Sequence, residues 1–298
     1  MIHPDYQTAP VDRSGGLKRV IRHPFIMALR AAEIAASRAY LSGPAKRLRA
    51  AANVSRALPA KTQAAVVAHL YYADVLPETL AAWATLPEGS RLLITAPPAQ
   101  ARELMTAVAG KPHVEVHATE NRGRDIAPFL ALLDSGSLDR FDVVLKIHSK
   151  KSPHLLFGEL RRMFFFETLA GSPGAVARIL ARFADPSVGF VGPRAYFRSQ
   201  SMYWMDDRPR VEELCARMGT PVRLGFFEGA MFWVRPSALN RLRKLDLKPD
   251  DFEPEAGQLD GALHHAVERC FVLSGLLDGY EALDLWGRRL TPRPTLAA

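Results

Sequence analysis

From residue 64 to residue 151 short, continuous apolar runs alternate with helix-length segments, and no other feature of the chain limits its fold so tightly. AAVVAHLYYAD (64–74), RLLITA (91–96), VEVHAT (114–119) and FDVVLKIHSKK (141–151) read as strands. VLPETLAAWATL (75–86), PAQARELMTAV (98–108) and DIAPFLALL (125–133) read as helices between them. Strands apolar on both faces and joined through helices belong to a sheet covered on both sides. The predicted fold class is therefore α/β, a mostly parallel sheet flanked by helices. Ligands of such sheets gather beyond the carboxyl ends of the strands, and Tyr72, Asp74, Thr95, Asn121 and His148 fall at or just past those ends.

A chain of 298 residues, 48% of them hydrophobic, can bury one elaborated domain. The texture changes near Pro59, which suggests a basic helical extension over residues 1–60 and an α/β domain over 61–298. Two cysteines far apart, Cys215 and Cys270, suggest neither a disulfide scaffold nor a zinc site, so a reducing compartment is expected. No apolar run is long enough to span a bilayer and no cleaved leader pattern opens the chain, which predicts a cytoplasmic location. Arg13 to Arg56 holds ten Lys and Arg against the single acid Glu33, a local excess of +9 in a chain whose net charge is +8. Leu17, Ile21, Phe25, Ile26, Leu29, Ile34 and Tyr40 are interspersed at loosely helical spacing. Such a segment could lie on an anionic inner-membrane surface, each cation adding about 1 kcal/mol, or pack on the body with its charges solvated. Nucleic acid is not an expected partner, because no aromatic residues are interleaved with the charge as a stacking platform.

The turn ENRGRDIAPF places Asn121, Arg122, Gly123, Arg124 and Asp125 at a strand-to-helix junction. Gly123 allows positive φ and close backbone approach, and Asp125 can cap the next helix. The neighbouring strand end, LKIHSKK, adds Lys146, His148, Lys150 and Lys151. Cations converging on one cleft repel one another unless a polyanion joins them, and a diphosphate has the right charge. Neither a GxGxxG nor a Walker pattern accompanies them.

ENRGRDIAPFL, DVVLKIHSKKS, VGFVGP, EGAMFWVRPSAL and DFEPEAGQLDGALHHAVER resemble, in order, successive motifs of the rhamnan synthesis protein F family, bacterial glycosyltransferases of cell-surface polysaccharide assembly. The resemblance runs from about Val66 to Arg269. It implies a GT-A-like nucleotide-binding fold and transfer of a sugar, typically rhamnose from a dTDP-linked donor, to a glycan or lipid-linked glycan acceptor. FGELRRMFF stands where a Trp-Arg pair usually follows the HSKK turn, a departure on the acceptor side. GT-A enzymes commonly hold a divalent ion with an Asp-x-Asp motif; here the corresponding place is His148-Ser149-Lys150. A hard cation needs oxygen ligands that this turn lacks, so no metal cofactor is expected and side-chain cations should meet the departing diphosphate.

GQLDGALHHAVER puts Asp260 near a helix start and His264 one turn later, with His265 adjacent. Taken by themselves, these residues also fit an N-cap and two partly buried histidines. The resemblance maps its DG-x-L-x-HA-x-ER pattern onto Asp260, Gly261, Leu263, His265, Ala266, Glu268 and Arg269. It implies Asp260 as general base, with His265, Glu268 and Arg269 around the sugar, and inversion at the anomeric carbon. In EGAMFWVRPSAL, Gly229 and Ala230 allow close approach, and Phe232 and Trp233 alternate across a strand so that one can stack on a sugar. Glu228 is a hydrogen-bonding partner for sugar hydroxyls and the second candidate base. A binding scaffold that has lost catalysis, or a protein that acts through residues 13–56 alone, are the alternatives.

Overall fold

The computed structural model describes residues 24–45, 62–151, 158–258 and 260–294. Its strands are β1 (Ala64–His69), β2 (Arg91–Ala96), β3 (Val114–Ala118), β4 (Val143–His148), β5 (Val188–Gly192), the short β6 (Phe197–Arg198), β7 (Arg223–Leu224) and β8 (Phe226–Phe227), then β9 (Phe232–Val234), β10 (Glu281–Asp284), β11 (Arg289–Leu290) and β12 (Arg293–Pro294). Eight of them form one sheet in the order β11-β10-β5-β9-β4-β1-β2-β3. β3, β2, β1 and β4 run parallel, β9 is antiparallel to both β4 and β5, and β10 is parallel to β5. The fold is α/β with a large, mostly parallel mixed sheet.

Helices α1 (Pro24–Leu41), α2 (Leu76–Trp83), α3 (Pro98–Ala107), α4 (Ile126–Asp134), α5 (Gly158–Ala170), α6 (Pro173–Leu180), α7 (Arg208–Met218), α8 (Asn240–Arg243) and α9 (Leu263–Ser274) surround it. Alternation along β1 shows why both faces must be covered. Ala65 and Val67 join one core with residues of α4, α7 and α9, while Ala64, Val66 and Ala68 join the other with residues of α2, α3, α5 and α6. Each side chain in β1 is buried, so neither face tolerates a polar substitution at small cost.

The reversed direction of β9 sets the position of the site. Lys146 of β4 pairs with Phe232 of β9, so the turn that precedes β9, Glu228-Gly229-Ala230, lies at the carboxyl end of β4. Gly229 and Ala230 make that turn with φ of 95° and 49°. The aromatic pair that follows serves the core on both sides: Trp233 is fully buried and donates from Nε1 to Leu169 O at 3.0 Å, and Phe232 packs among Phe190, Phe227 and Phe271. The expectation that Trp233 or Phe232 faces a cleft and stacks on a sugar is thus corrected; a strand flanked by β4 and β5 has two covered faces.

Within the basic N-terminal segment, residues 13–23 and 46–56 lie outside the described residues. α1 itself packs on α5, with Tyr40 edge-on to Phe164 at 5.3 Å between centroids. Its Glu33 is buried and ion-pairs with Arg198, whose Nε donates to Glu228 Oε2 at 2.7 Å. Among the described residues no helix is long and apolar enough to cross a membrane.

Arg198 thus stands between two buried or half-buried carboxylates. Arg198→Met should destabilise the fold by about 3–5 kcal/mol, since it takes the shared guanidinium from both acids, and α1 should become the first segment cut in limited proteolysis. Chemical denaturation that finds less than about 1 kcal/mol would show that the pairing contributes nothing net.

Candidate functional site

The carboxyl ends of β1, β2 and β4 end in polar side chains, and the first finding is that most of these form a floor beneath the surface. His69 lies opposite Thr95 and His148 in the strand register, with Nδ1 3.0 Å from Thr95 Oγ1. Thr95 is 1% exposed and so cannot reach a ligand as expected. Lys146 is equally buried, and its ammonium lies 2.5 Å from Asp125 Oδ2 and donates to Ala230 O at 3.1 Å. Burial alone would raise the Asp125 pKa, but Lys146 above all outweighs it and holds the carboxyl well below the usual range. Asp125 occupies the N-cap position of α4 yet makes no side-chain cap bond, because its carboxylate is turned to Lys146.

His148 is likewise committed. Its Nε2 donates to Gly229 O at 2.7 Å and its Nδ1 accepts from the Lys150 N–H at 3.2 Å, which uses both nitrogens of a neutral ring. Burial lowers its pKa to about 4, and that of His69 to about 4 as well. Lys146 and His148 are therefore not free cations at neutral pH, and the expected charge cluster is smaller than the sequence suggests.

The remaining cations differ in how far they are already neutralised. Lys151 pairs with Asp74 and lies 5.1 Å over the Tyr72 ring, so these three make one group at the end of β1. Gly123 and Arg124 both take positive φ, 62° and 54°. A Cβ on Gly123 would lie 2.7 Å from Ala127 and from the Phe252 ring, so the turn needs glycine there. The turn aims Arg124 at Glu255, which it meets twice, at 2.8 and 3.0 Å. Arg122 donates to Phe252 O at 3.3 Å, and Asn121 is exposed at the tip of the same loop. Lys150 is exposed and its ammonium makes no ion pair or hydrogen bond among the described residues. Desolvation and the Arg124 guanidinium lower its pKa, against the pull of Asp125 and Glu268.

Opposite Lys150 stand the Gly229 turn and α9. The Gly229 N–H donates to Glu268 Oε1 at 2.6 Å, and burial raises the Glu268 pKa. Glu228 is held at both oxygens, 2.7 Å from Arg198 Nε and 3.5 Å from Arg161 Nη1, which leaves neither to take a substrate proton. It is a fixed counter-ion, not a base. Asp260 precedes the first residue of α9 by three positions, and Ala262 occupies the cap, so the N-cap alternative does not apply. Its Oδ2 accepts from the Asp206 N–H at 2.7 Å, and its side chain is 7% exposed. Arg269 lies 2.7 Å from Asp207 and 3.7 Å from Asp260 and donates twice to Tyr203 O, so it braces acids and backbone rather than a sugar. His265 Nε2 is 3.4 Å from Arg124 Nη1.

One wall thus gathers Lys150, Arg124, Gly229, Asp260, His265 and Glu268. Sequence reasoning missed Asp207, Arg161, Glu255 and His69, whose partners are remote and leave no local pattern. Asp207, Asp260 and His265 each bring one ligand atom within 4.8 Å of the others. The Arg269 guanidinium already sits against both acids, and a divalent ion beside it would be repelled, so this donor set does not fit a metal.

The model of the family described as rhamnan synthesis protein F matches residues 40–280. Among curated proteins, the "Uncharacterized protein WxcX" of Xanthomonas campestris pv. campestris strain B100 is 34% identical over 210 residues, which is 69% of this chain and 30% of that protein. Its counterpart in strain ATCC 33913 is 33% identical over the same coverage. The chain therefore spans about a third of the length of these relatives.

The protonation states predict a stability profile. His69, His148 and His264, lowered to about 4, and His265, lowered to about 2, are all depressed chiefly by burial. The unfolded chain protonates first as pH falls, so their contribution is complete above the ordinary 6.5 and lost towards 4. Asp207, raised to about 8, and Glu268, also raised, contribute in the opposite sense and lose stability as pH rises from the ordinary carboxylate range. Below pH 6.5 four histidines act against two acids, and above it the histidine contribution is complete while the two acids go on losing stability. Urea midpoints should peak near pH 6.5 and fall more steeply on the acid side, and His148→Gln should flatten that side.

Proposed function

The chain belongs to the rhamnan synthesis protein F family, and from that premise we propose that it transfers a sugar, rhamnose from a dTDP-linked donor, to a growing polysaccharide by a single inverting displacement on a GT-A-like framework. The observation that carries this reading is Lys150, whose ammonium has no carboxylate at bonding distance among the described residues, standing at the strand end near Arg124 and Glu268. A diphosphate supplies the missing negative charge. The parallel run β3-β2-β1-β4, closed by the reversed β9, supports a donor half followed by an acceptor half.

In this reaction the acceptor hydroxyl oxygen attacks the anomeric carbon while the bond from that carbon to the diphosphate oxygen breaks, its electron pair leaving with the diphosphate. Lys150, with Arg124 behind it, meets the charge that develops there. The acceptor proton passes to Asp260, whose side chain keeps some exposure and whose oxygens are not clamped between two guanidinium groups as those of Glu228 are. Glu268 shapes the Gly229 turn through its backbone N–H, and His265 stays neutral between Arg124 and the cap of α9. Side-chain cations in place of a divalent ion are part of the proposal, as is attachment of residues 13–56 to an anionic membrane that carries a lipid-linked acceptor.

Purified protein with dTDP-rhamnose and a glycan acceptor tests the reading. Asp260→Asn should lower kcat by about 10²–10⁴-fold with donor affinity retained, and Lys150→Ala should weaken donor binding. EDTA should leave the rate unchanged; loss restored by magnesium or manganese would sink the metal-free part. Donor binding without transfer in the wild type would favour a scaffold instead.

A further inference from the structure

We propose that Asp207 is the positioning residue of the site: a buried acid that keeps its proton and donates it as a hydrogen bond to the Asp260 carboxylate, holding that base ionised and aimed at the acceptor. The inference rests on the reading of Asp260 as base. Asp207 is 0% exposed at the foot of α7, its carboxyl and that of Asp260 bring oxygens within 4.8 Å of each other, and both face the Arg269 guanidinium, at 2.7 and 3.7 Å. Two carboxyl groups in such contact cannot both be ionised without repelling, so one proton must lie between them.

The surrounding charge leads to the same count. Arg269 and Glu268 of α9 face Asp207, together with Asp260 and the Gly261 N–H, which donates to Asp207 Oδ1 at 3.1 Å. Cys270, also on α9, lies close enough to sense its charge. Arg269 is the cation that meets both Asp207 and Asp260, and its charge also acts on Glu268. That guanidinium is divided among Asp207, Asp260, the Tyr203 carbonyl and the His265 carbonyl. It cannot neutralise all three acids.

Which member of the pair keeps the proton follows from solvation. Asp260 accepts the Asp206 N–H at 2.7 Å and retains some contact with water. Asp207 has no contact with water, and burial, then the bond to Asp260, raises its pKa to about 8. Arg269 pulls the other way at 2.7 Å, but its charge is shared. A neutral Asp207 cannot compete for the acceptor proton; it orients the acid that takes it. During transfer its own proton stays in the hydrogen bond, and the acceptor proton ends on Asp260.

The test combines a measurement that needs no turnover with one that does. In the full chain labelled with ¹³C at aspartate carboxyls, one signal should remain protonated at neutral pH, titrate near 8 and vanish in Asp207→Asn. In the transfer assay, Asp207→Ala should lose about 100-fold in kcat, as misplacement of a base does. Asp207→Asn, whose amide still donates, should recover most of that loss and lack the fall above pH 8 expected of the wild type. If the Asp207 carbon titrates with the surface carboxylates, the proposal is overturned whether or not the protein transfers sugar. If Asp207→Asn is folded and as impaired as Asp207→Ala, the positioning role is overturned. If the proton is found but Asp260→Asn transfers normally, the base reading fails and takes the role of Asp207 with it, a result distinct from an ordinary Asp207 titration.

Discussion

The Lys146–Asp125 pair is the contact on which the site depends. It joins β4 to the turn after β3, and its second donation, to Ala230 O, ties in the turn before β9. Three segments remote in sequence are thereby held by one ammonium that is 1% exposed. Removing an ammonium from water costs several kcal/mol unless a partner repays it, so the pair cannot open without cost. The rigidity extends outward: with Ala230 fixed, Gly229 is placed to receive His148 and to donate to Glu268. The outer wall is built on an inner ion pair.

This explains why the charge in the strand-end motif is misleading when read locally. LKIHSKK shows a run of cations, but Lys146 is met by Asp125, Lys151 by Asp74, and His148 is a neutral ring between two backbone groups. Arg124 is met by Glu255, 131 positions away. Of these residues, Lys150 is the one whose charge meets no carboxylate at bonding distance among the described residues. A dense basic motif is thus mostly structure, and one residue of it faces outward. An incoming dianion would have either to accept Lys150 alone or to exchange partners with Arg124 and Arg161, which pair with Glu255 and Glu228.

The sheet was legible because its signal is local: each strand from β1 to β4 is an apolar run between helix-length segments, and burial on both faces enforces that pattern. β3 is the weakest of these, half-buried at the sheet edge, and its sequence, VEVHA, is the most polar. The position of Trp233 was not legible, because period-2 alternation says that two residues face opposite ways, not that both faces are covered. That depends on β9 lying between β4 and β5. Asp207 was invisible for a related reason: in MDDRPR it reads as a polar turn, and only the approach of α9 makes it a buried acid.

Long-range pairing also decides which acid can act as a base. Glu228, Glu268, Asp260 and Asp207 all lie near the wall, so proximity alone does not choose. Glu228 has both oxygens on guanidinium groups, Glu268 is occupied by the Gly229 N–H and disfavoured as an anion by burial, and Asp207 has no route to solvent. Asp260 accepts a backbone N–H, keeps some side-chain exposure and stands 3.7 Å from Arg269, farther than Glu228 from either of its guanidinium groups. A base must be ionised before the reaction and able to hold a proton after it. Here the Asp206 N–H and the Arg269 guanidinium both face the Asp260 carboxyl, and its neighbour Asp207 is too deeply buried to take the acceptor proton itself.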